Sequence, residues 1–445
     1  MRPGRVIEVD VAVVGAGVAG CVTAHLLSSK GLDVALLEVN KRERVGEKVC
    51  GDGVGRHEFS DAHIDPPTSG VDREIKGVRI YTSFDDLAFT IMGSGYSLDR
   101  KKFGQDLLSK AIMSGAKLYD RTFAEEPIVT GERVVGVKSL DLDSRRDRVF
   151  RSKIVVDASG FSATIRKRLP RGWWIHENIH RWDIGLGYRE IRRTEACNGD
   201  FCELYYDREI TRGGYCWVIP KRDGHVNTGI LIFSRDRFDV TWAKKMFTRF
   251  LTASPTLSRS QLISSGVGLV PLRRPLSCPI GGGFVAVGDA ALHPNPFNGG
   301  GLGPAMVSAA SAADAAHKAI ESGDASLSGL WRYNTELANR FFARYAVNEV
   351  IKNFIYNLSL EEGRSFFRCL GVRRCYGSGD FLKELTCRDY LKAMPQLLRT
   401  PRLSKELVRL LGRVKSVKDI YSRYPETPDR FQEWRAAADA HFLTY

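Results

Sequence analysis

A glycine turn near the N-terminus, Gly15-Ala16-Gly17-Val18-Ala19-Gly20, lies between two apolar runs and narrows the fold more than any other segment. Residues 9–14 read as a short buried parallel strand and the stretch to Lys30 as a helix. Val34 to Leu37 reads as a second strand that ends at Glu38. Gly15 permits a tight turn, Gly17 lets backbone approach a pyrophosphate, and Gly20 lets helix and strand pack closely. The helix start offers free N–H groups and partial positive charge to phosphates. Glu38 is placed to accept hydrogen bonds from the ribose hydroxyls of an adenosine. A lone GxGxxG is often only a glycine-rich turn. Here strand, helix and acid fall in register, and together they predict a dinucleotide-binding unit.

Two later segments extend the pattern. Ile154 to Gly160 is a strand ending in a turn, with Arg166 shortly after. Phe284 to Ala291 is another, stopping at Gly288-Asp289 and running into Gly299-Gly300-Gly301 and a small-residue helix from Leu302. An Asp at a strand end can bond a polyol chain, and a glycine-rich helix start can hold a second anionic group. Combined with the first turn, these segments resemble the FAD-binding pattern of the para-hydroxybenzoate-hydroxylase-like flavoproteins. Arg100 matches the arginine that such proteins direct at the cofactor. The resemblance implies FAD rather than NAD, with Ala124, Asp289, Gly300, Gly301 and Leu302 added to the binding set.

Between these segments the chain changes character. Trp173, Trp174, Trp182, Trp217 and Trp242 fall there, five of seven tryptophans, with strand-like alternation around 185–192, 201–207, 214–219 and 226–233. The reading is an α/β chain, α+β overall. A discontinuous Rossmann-like FAD domain takes 1–74, 93–170 and 267–325. An inserted antiparallel-sheet substrate domain takes 75–92 and 171–266, and a helical C-terminal region takes 326–445.

Lys48-Val49-Cys50-Gly51-Asp52-Gly53-Val54 and Gly213-Gly214-Tyr215-Cys216-Trp217-Val218-Ile219-Pro220 make the resemblance more specific. With Leu269 to Leu276 and Tyr424-Pro425-Glu426-Thr427-Pro428, they resemble the geranylgeranyl reductase family, especially archaeal enzymes that saturate isoprenoid membrane-lipid chains. The family pattern P-x-x-Y-x-W-x-F-P is only partly kept: Arg212 replaces the first proline and Ile219 the phenylalanine. Tyr-x-Trp-x-Ile-Pro is also close to the Trp-x-Trp-x-Ile-Pro of flavin-dependent halogenases. Halogenases and aromatic monooxygenases on the same fold are therefore the rival reading. The Cys50 to Gly53 segment, Arg273-Arg274-Pro275 and the tail fit reductases.

The resemblance implies reduction of prenyl C=C bonds of geranylgeranyl diphosphate or ether-lipid precursors. Such a reaction takes a hydride from reduced flavin and a proton on the neighbouring carbon. Tyr215 and Trp217, two apart on a strand, share one face and line the chain-binding tunnel by that resemblance; the alternative is that both fill core. Cys50 is a proton donor, a gate or a packing residue, with the backbone of Cys50, Gly51 and Gly53 against FAD. Arg273 and Arg274 either meet a phosphate headgroup or form an ordinary ion-paired couple. His293 reads as a structural histidine. No second nucleotide-binding unit is evident, so ferredoxin and NAD(P)H are both open as electron donor.

Composition sets outer limits. Apolar residues are 43% and charged residues 27% of 445, which excludes a disordered, collagen-like or disulfide-stapled chain. No run approaches the roughly 18 apolar residues of a membrane span. No signal peptide is visible, so the expectation is a cytoplasmic, non-spanning protein. The net charge of +14 suits an anionic partner, whether nucleic acid, lipid headgroups or a phosphorylated substrate; with the family resemblance, the lipid is expected and nucleic acid is not. Nine cysteines without a C-x-x-C pair argue against zinc, and no metal is expected. Residues 399–421 combine an apolar stripe (Leu403, Leu407, Leu410, Leu411, Val414, Val417) with seven basic residues. Such a helix either docks on an anionic membrane on its inner face or packs its stripe on the protein's own core.

Overall fold

The computed structural model describes residues 5–83, 86–197, 199–211, 213–233, 239–359, 361–363, 365–366, 374–376 and 401–443. Arg212, Arg399, Cys369 and Cys387 lie outside them.

The first sheet has a parallel core in the order Phe284–Ala286, Arg146–Asp157, Arg5–Val14, Val34–Leu37 and Lys117–Tyr119. Its central strands are continuous apolar runs because both faces are covered. Val11, Val13, Val34 and Leu36 pack in the cluster that includes the helices Val18–Ser29 and Leu302–Glu321. The alternate residues Ala12, Val14, Ala35 and Leu37 pack against the hairpin Thr122–Thr130/Arg133–Asp141 and its neighbours. The α/β, Rossmann-like expectation holds.

The second sheet has nine strands. Its path runs Gln261–Pro271, Ile184–Arg193, His225–Phe233, Tyr215–Pro220, Phe201–Tyr205, Val71–Ser83, Asp86–Leu98 and Arg374–Tyr376, with Gly53–Gly55 paired to Asp86–Leu98. Most pairs are antiparallel, but Phe201–Tyr205 lies parallel to Val71–Ser83 and Arg374–Tyr376 parallel to Asp86–Leu98. The strands spread wider than 75–92 and 171–266, and 374–376 joins the sheet from a region read as helical. Alternation along Tyr215–Pro220 separates two faces. Cys216 and Val218 pack towards the helix Val240–Ala253, while Tyr215, Trp217 and Ile219 face the first sheet.

The helices Leu327–Leu337, Ala343–Asn357, Pro401–Tyr421 and Phe431–Leu443 close the C-terminal side around Trp331, Tyr424, Phe431 and Trp434. Leu403, Leu410, Val414 and Val417 are buried there. The stripe of Pro401–Tyr421 is therefore spent on the protein interior, and only Val408 and Leu411 of its large apolar residues are exposed. Of the six stripe residues, four are buried, Leu407 is half-buried and Leu411 is exposed. Among the described residues no helix is long and apolar enough to cross a membrane, and no cluster of His, Cys, Asp and Glu could hold a metal ion. Cys21, Cys50, Cys197, Cys202, Cys216 and Cys278 are free thiols.

Candidate active site

The glycine turn separates into two duties. Gly15 has φ +100° and its N–H bonds Leu37 O at 2.7 Å. A Cβ there would stand 2.6 Å from Ala158 O, and one on Gly20 would stand 1.8 Å from Gly15 O. Both glycines are demanded by packing. A Cβ on Gly17 would meet nothing within 4 Å. Gly17 opens on the cleft and begins the helix Val18–Ser29 without a side-chain cap, so the helix-start N–H groups face free space. Glu38 is buried at the end of Val34–Leu37. Its Oε2 accepts from Ala16 N–H at 2.8 Å, and its Oε1 accepts from Asn40 N and Nδ2 at 2.8 and 2.9 Å. The remaining lone pairs face the cleft.

The rest of the cleft is built from distant segments. Arg100 heads the helix Arg100–Met113 behind the cap Asp99, and its side chain is 10% exposed. Its Nε and Nη1 are buried without a hydrogen-bond partner; the Asp52 carboxylate stands 4.0 Å away, with its own Oδ1 unpartnered. Buried donors are rarely left so, and these two groups, both lining the cleft, suit a polar ligand. Asp289 Oδ2 pairs with Lys48 Nζ at 2.9 Å across the cleft mouth, and the carboxylate pushes the lysine above its ordinary value. Gly300, Gly301 and Leu302 bring a second uncapped helix start, and Ala124 adds wall. Asp157 and Arg166, by contrast, shape the turn. The Asp157 carboxylate accepts N–H from Ser159, Ile165 and Arg166, and neither residue lines the cleft.

These groups, apart from Gly20 behind the turn and the Asp157–Arg166 turn, border one cavity of about 1450 Å³. It has an adenosine-and-phosphate end at Gly17 and Glu38, and a second anion-compatible helix start at Gly301. The arrangement fits FAD.

Beyond that helix start the cavity continues against the second sheet. Tyr215 and Trp217 are 8% and 7% exposed, with ring centroids 6.3 Å apart in an edge arrangement. Tyr215 donates its hydroxyl to Asn298 O, and Trp217 donates Nε1–H to Asn227 Oδ1 at 2.9 Å. Both polar tips are thus tied off, and burial keeps the Tyr215 phenol protonated. Gly77, Gly93, Gly95, Gly187 and Gly268, on other strands of the same sheet, also border the cavity and alternate there with apolar side chains such as Ile91, Leu204 and Leu231. Both aromatics border the cavity and also belong to the main core cluster.

Cys50, Gly51 and Gly53 lie between the two ends. Burial, helped by the Asp52 carboxylate, pushes the Cys50 thiol up, and Asp52 N–H donates to Cys50 Sγ at 3.3 Å. Asp52 is 2% exposed and holds a left-handed φ of +65°. Asn227 Nδ2 donates to Cys50 O at 2.8 Å and to Asp52 Oδ2 at 2.7 Å. Lys221 Nζ lies 3.3 Å from Asp52 and 2.7 Å from Asp72. Burial raises the Asp52 carboxyl despite Lys221 and Arg100 beside it. Reasoning from sequence missed Asp52, Asn227 and Lys221. An acid between two glycines was the available signal for the first; the other two are ordinary strand-region residues with none.

Arg273 and Arg274 require a correction. Neither lines the cavity. Arg273 is 2% exposed, paired with Glu177 and donating to Asn178 O; Arg274 pairs with Glu349 and Asp439 and stacks on Phe442. They are internal ion pairs joining the strand end to the C-terminal helices, because two buried guanidinium groups need buried carboxylates. Arg340 and Arg344 border the cavity instead, one turn apart across the π-helical turn Ala338–Phe342. His293 is fully buried and pushed down to about 3 by that burial, so its ring stays neutral.

Comparison with known proteins agrees with this layout. Residues 183–270 match the geranylgeranyl reductase catalytic domain model, and residues 4–172 match the Thi4 family model. The digeranylgeranylglycerophospholipid reductase of Sulfolobus acidocaldarius is 29% identical over 443 residues, covering 97% of each chain. That of Methanosarcina acetivorans is 31% identical over 73% of this chain and 81% of its own. A geranylgeranyl bacteriochlorophyll reductase-like crystal structure from Thermoplasma acidophilum superposes with a TM-score of 0.80 at 26% identity, over 91% of this chain and 100% of that one. A myxobacterial FAD-dependent halogenase, at 17% identity and TM-score 0.65 over 93% of this chain and 97% of its own, shares the fold alone. On the strength of these alignments, the chain belongs to the geranylgeranyl reductase family.

Proposed function

We propose that the chain is an FAD-dependent reductase that saturates the C=C bonds of geranylgeranyl chains. Its substrate is digeranylgeranylglycerophospholipid, for which its relatives are named, or a precursor such as geranylgeranyl diphosphate. One observation carries the reading: a single cavity joins a dinucleotide cradle to a sheet face lined by Tyr215, Trp217 and apolar side chains. When bound and reduced, FAD supplies the hydride.

The chain's own residues do the rest. Isolated prenyl alkenes are not polarised by a carbonyl, so positive charge developing at the tertiary carbon needs stabilisation. The Tyr215 and Trp217 faces offer about 0.5–2 kcal/mol by cation–π attraction, and their anchored tips keep the rings from turning away. The apolar lining beside them, Ile91, Leu204 and Leu231 among it, suits a long hydrocarbon chain. The proton is assigned to the Cys50–Asp52 pair, since both groups border the cavity beside the aromatic face and burial raises both. Arg340 and Arg344 supply the cationic end for a phosphate headgroup. Reducing equivalents come from ferredoxin or transiently bound NAD(P)H, and the enzyme works at an anionic membrane surface.

The test is anaerobic incubation of chemically reduced protein with geranylgeranyl substrates, read by mass spectrometry. Successive gains of two hydrogens support the reading, and denaturation should release FAD. Product formed only in air, with halide or hydroxyl incorporated, would hand the case to a halogenase or hydroxylase.

A further inference from the structure

Gln261–Pro271 ends the second sheet, and among the described residues no element pairs with its outer edge. Eleven residues of open ladder invite unwanted pairing, and proteins usually protect such an edge with charge, proline or a covering element. This edge does the opposite. Leu262, Ile263, Val267 and Leu269 are 49%, 52%, 42% and 38% exposed. Trp182 joins them: it lies two residues before Ile184, which pairs with Pro271, and it is 49% exposed with its ring stacked on His180.

The charge around this edge is mostly positive, with exposed Asp239 at the helix cap and exposed Glu195 beyond Arg193 as the exceptions. From Val240 to Gly288 the sequence contains no Asp or Glu. The two acids of the neighbouring segment, Asp183 and Glu190, are each 5% exposed. Lys244, Lys245 and Arg249 are exposed on the helix that packs on the adjoining strands, and Arg259 is exposed at the start of the edge. An apolar strip with an exposed tryptophan and a rim in which cations outnumber carboxylates has the chemistry of a contact with an anionic bilayer.

The strip is also continuous with the cavity. Gly268, Leu269 and Val270 border it from the same strand that faces solvent, and Gly266 and Gly268 lie against Val49, next to Cys50. A prenyl chain crossing this strand passes from apolar surface to the cavity beside Val49 and Cys50.

We propose that the edge strand Gln261–Pro271, together with Trp182, is the surface that meets the anionic bilayer, and that the isoprenoid chain enters the cavity beside it. This rests on the prenyl-lipid reading of the function and adds where the membrane sits. It moves the contact away from Pro401–Tyr421, most of whose apolar stripe is buried. A few side chains of this size give a shallow, reversible contact.

The test uses the full FAD-loaded chain with vesicles of phosphatidylglycerol and phosphatidylcholine in equal parts. Sedimentation should show binding that salt weakens. Ile263→Ser combined with Val267→Ser should weaken it about tenfold, the scale of losing two apolar anchors. Melting temperature, FAD content and reduction of a detergent-dispersed geranylgeranyl substrate should stay at wild-type values. Brominated lipid should quench fluorescence in the wild type and distinctly less in Trp182→Phe. Vesicle binding unchanged in the double variant overturns the proposal. So does loss of binding in Lys415→Glu/Lys418→Glu instead, or a double variant that only changes a dimer to a monomer by light scattering. Wild-type protein that binds vesicles through this edge yet never reduces the dispersed substrate would sink the functional reading and leave the surface assignment standing.

Discussion

The two ends of the cavity are built by opposite means. The dinucleotide end is mostly backbone: a left-handed glycine, two uncapped helix starts and one buried carboxylate, within segments of thirty residues or fewer. The aromatic end is mostly side chains, held in a network that reaches partners far along the chain. Trp217 depends on Asn227, Asn227 on Cys50 and Asp52, and Asp52 on Lys221. A backbone site fails by steric conflict at one atom. A side-chain network fails by leaving its neighbours unpaired, which spreads the damage.

The widest difference should come from Trp217→Leu. It removes buried aromatic surface and leaves Asn227 Oδ1 unpaired, costing about 3 kcal/mol of stability. Activity per mole of bound FAD should fall at least about tenfold while flavin content stays near wild type, with Tyr215→Leu showing the same split. Variants that fold, keep FAD and reduce prenyl chains at the original rate would make these residues core packing, and the comparison would lose its aromatic half.

Gly20→Ala tests the other end. Its Cβ would collide with Gly15 O, so a loss of about 1–3 kcal/mol should appear as a lower melting temperature, with FAD lost as well. Gly17→Ala has the gentler effect. With open space around the new Cβ, the melting temperature of the FAD-free protein should not move, whereas FAD should bind about tenfold more weakly, near 1.4 kcal/mol. If both glycines behave alike, the division between packing and binding duties is wrong.

The finest distinction concerns pH. Burial holds the Asp52 proton to higher pH than an ordinary aspartate, and a proton donor works only in its protonated form. Turnover should therefore fall as pH rises through that raised value. Asp52→Asn should erase this alkaline limb, slow turnover and leave FAD bound. A pH profile that survives the substitution unchanged assigns the proton to Cys50 alone.

What could be read in advance follows the same division. Gly15, Gly17, Gly20 and Glu38 were legible because turn, helix start and acid constrain one another across a few bonds. The strands 184–193, 215–220 and 225–233 were legible because alternation reports which face is buried. Arg273 and Arg274 were not. Two adjacent arginines look the same in sequence whether they face a phosphate or Glu177 and Glu349, residues 96 and 75 positions away. The stripe of Pro401–Tyr421 is equally silent about its partner, since amphipathic spacing states that a face is buried and not against what.

The amino-acid sequence by itself determined the parallel sheet, the cofactor turn and the aromatic strand, because backbone geometry and side-chain periodicity act locally. Only the tertiary structure decided that Asp52 meets Asn227 across 175 residues, that Arg340 and Arg344 rather than Arg273 and Arg274 border the cavity, and that the open apolar edge lies on Gln261–Pro271. Those outcomes depend on which distant groups share a buried, low-dielectric space, where each charge or hydrogen-bonding atom must find its partner through the fold rather than along the chain.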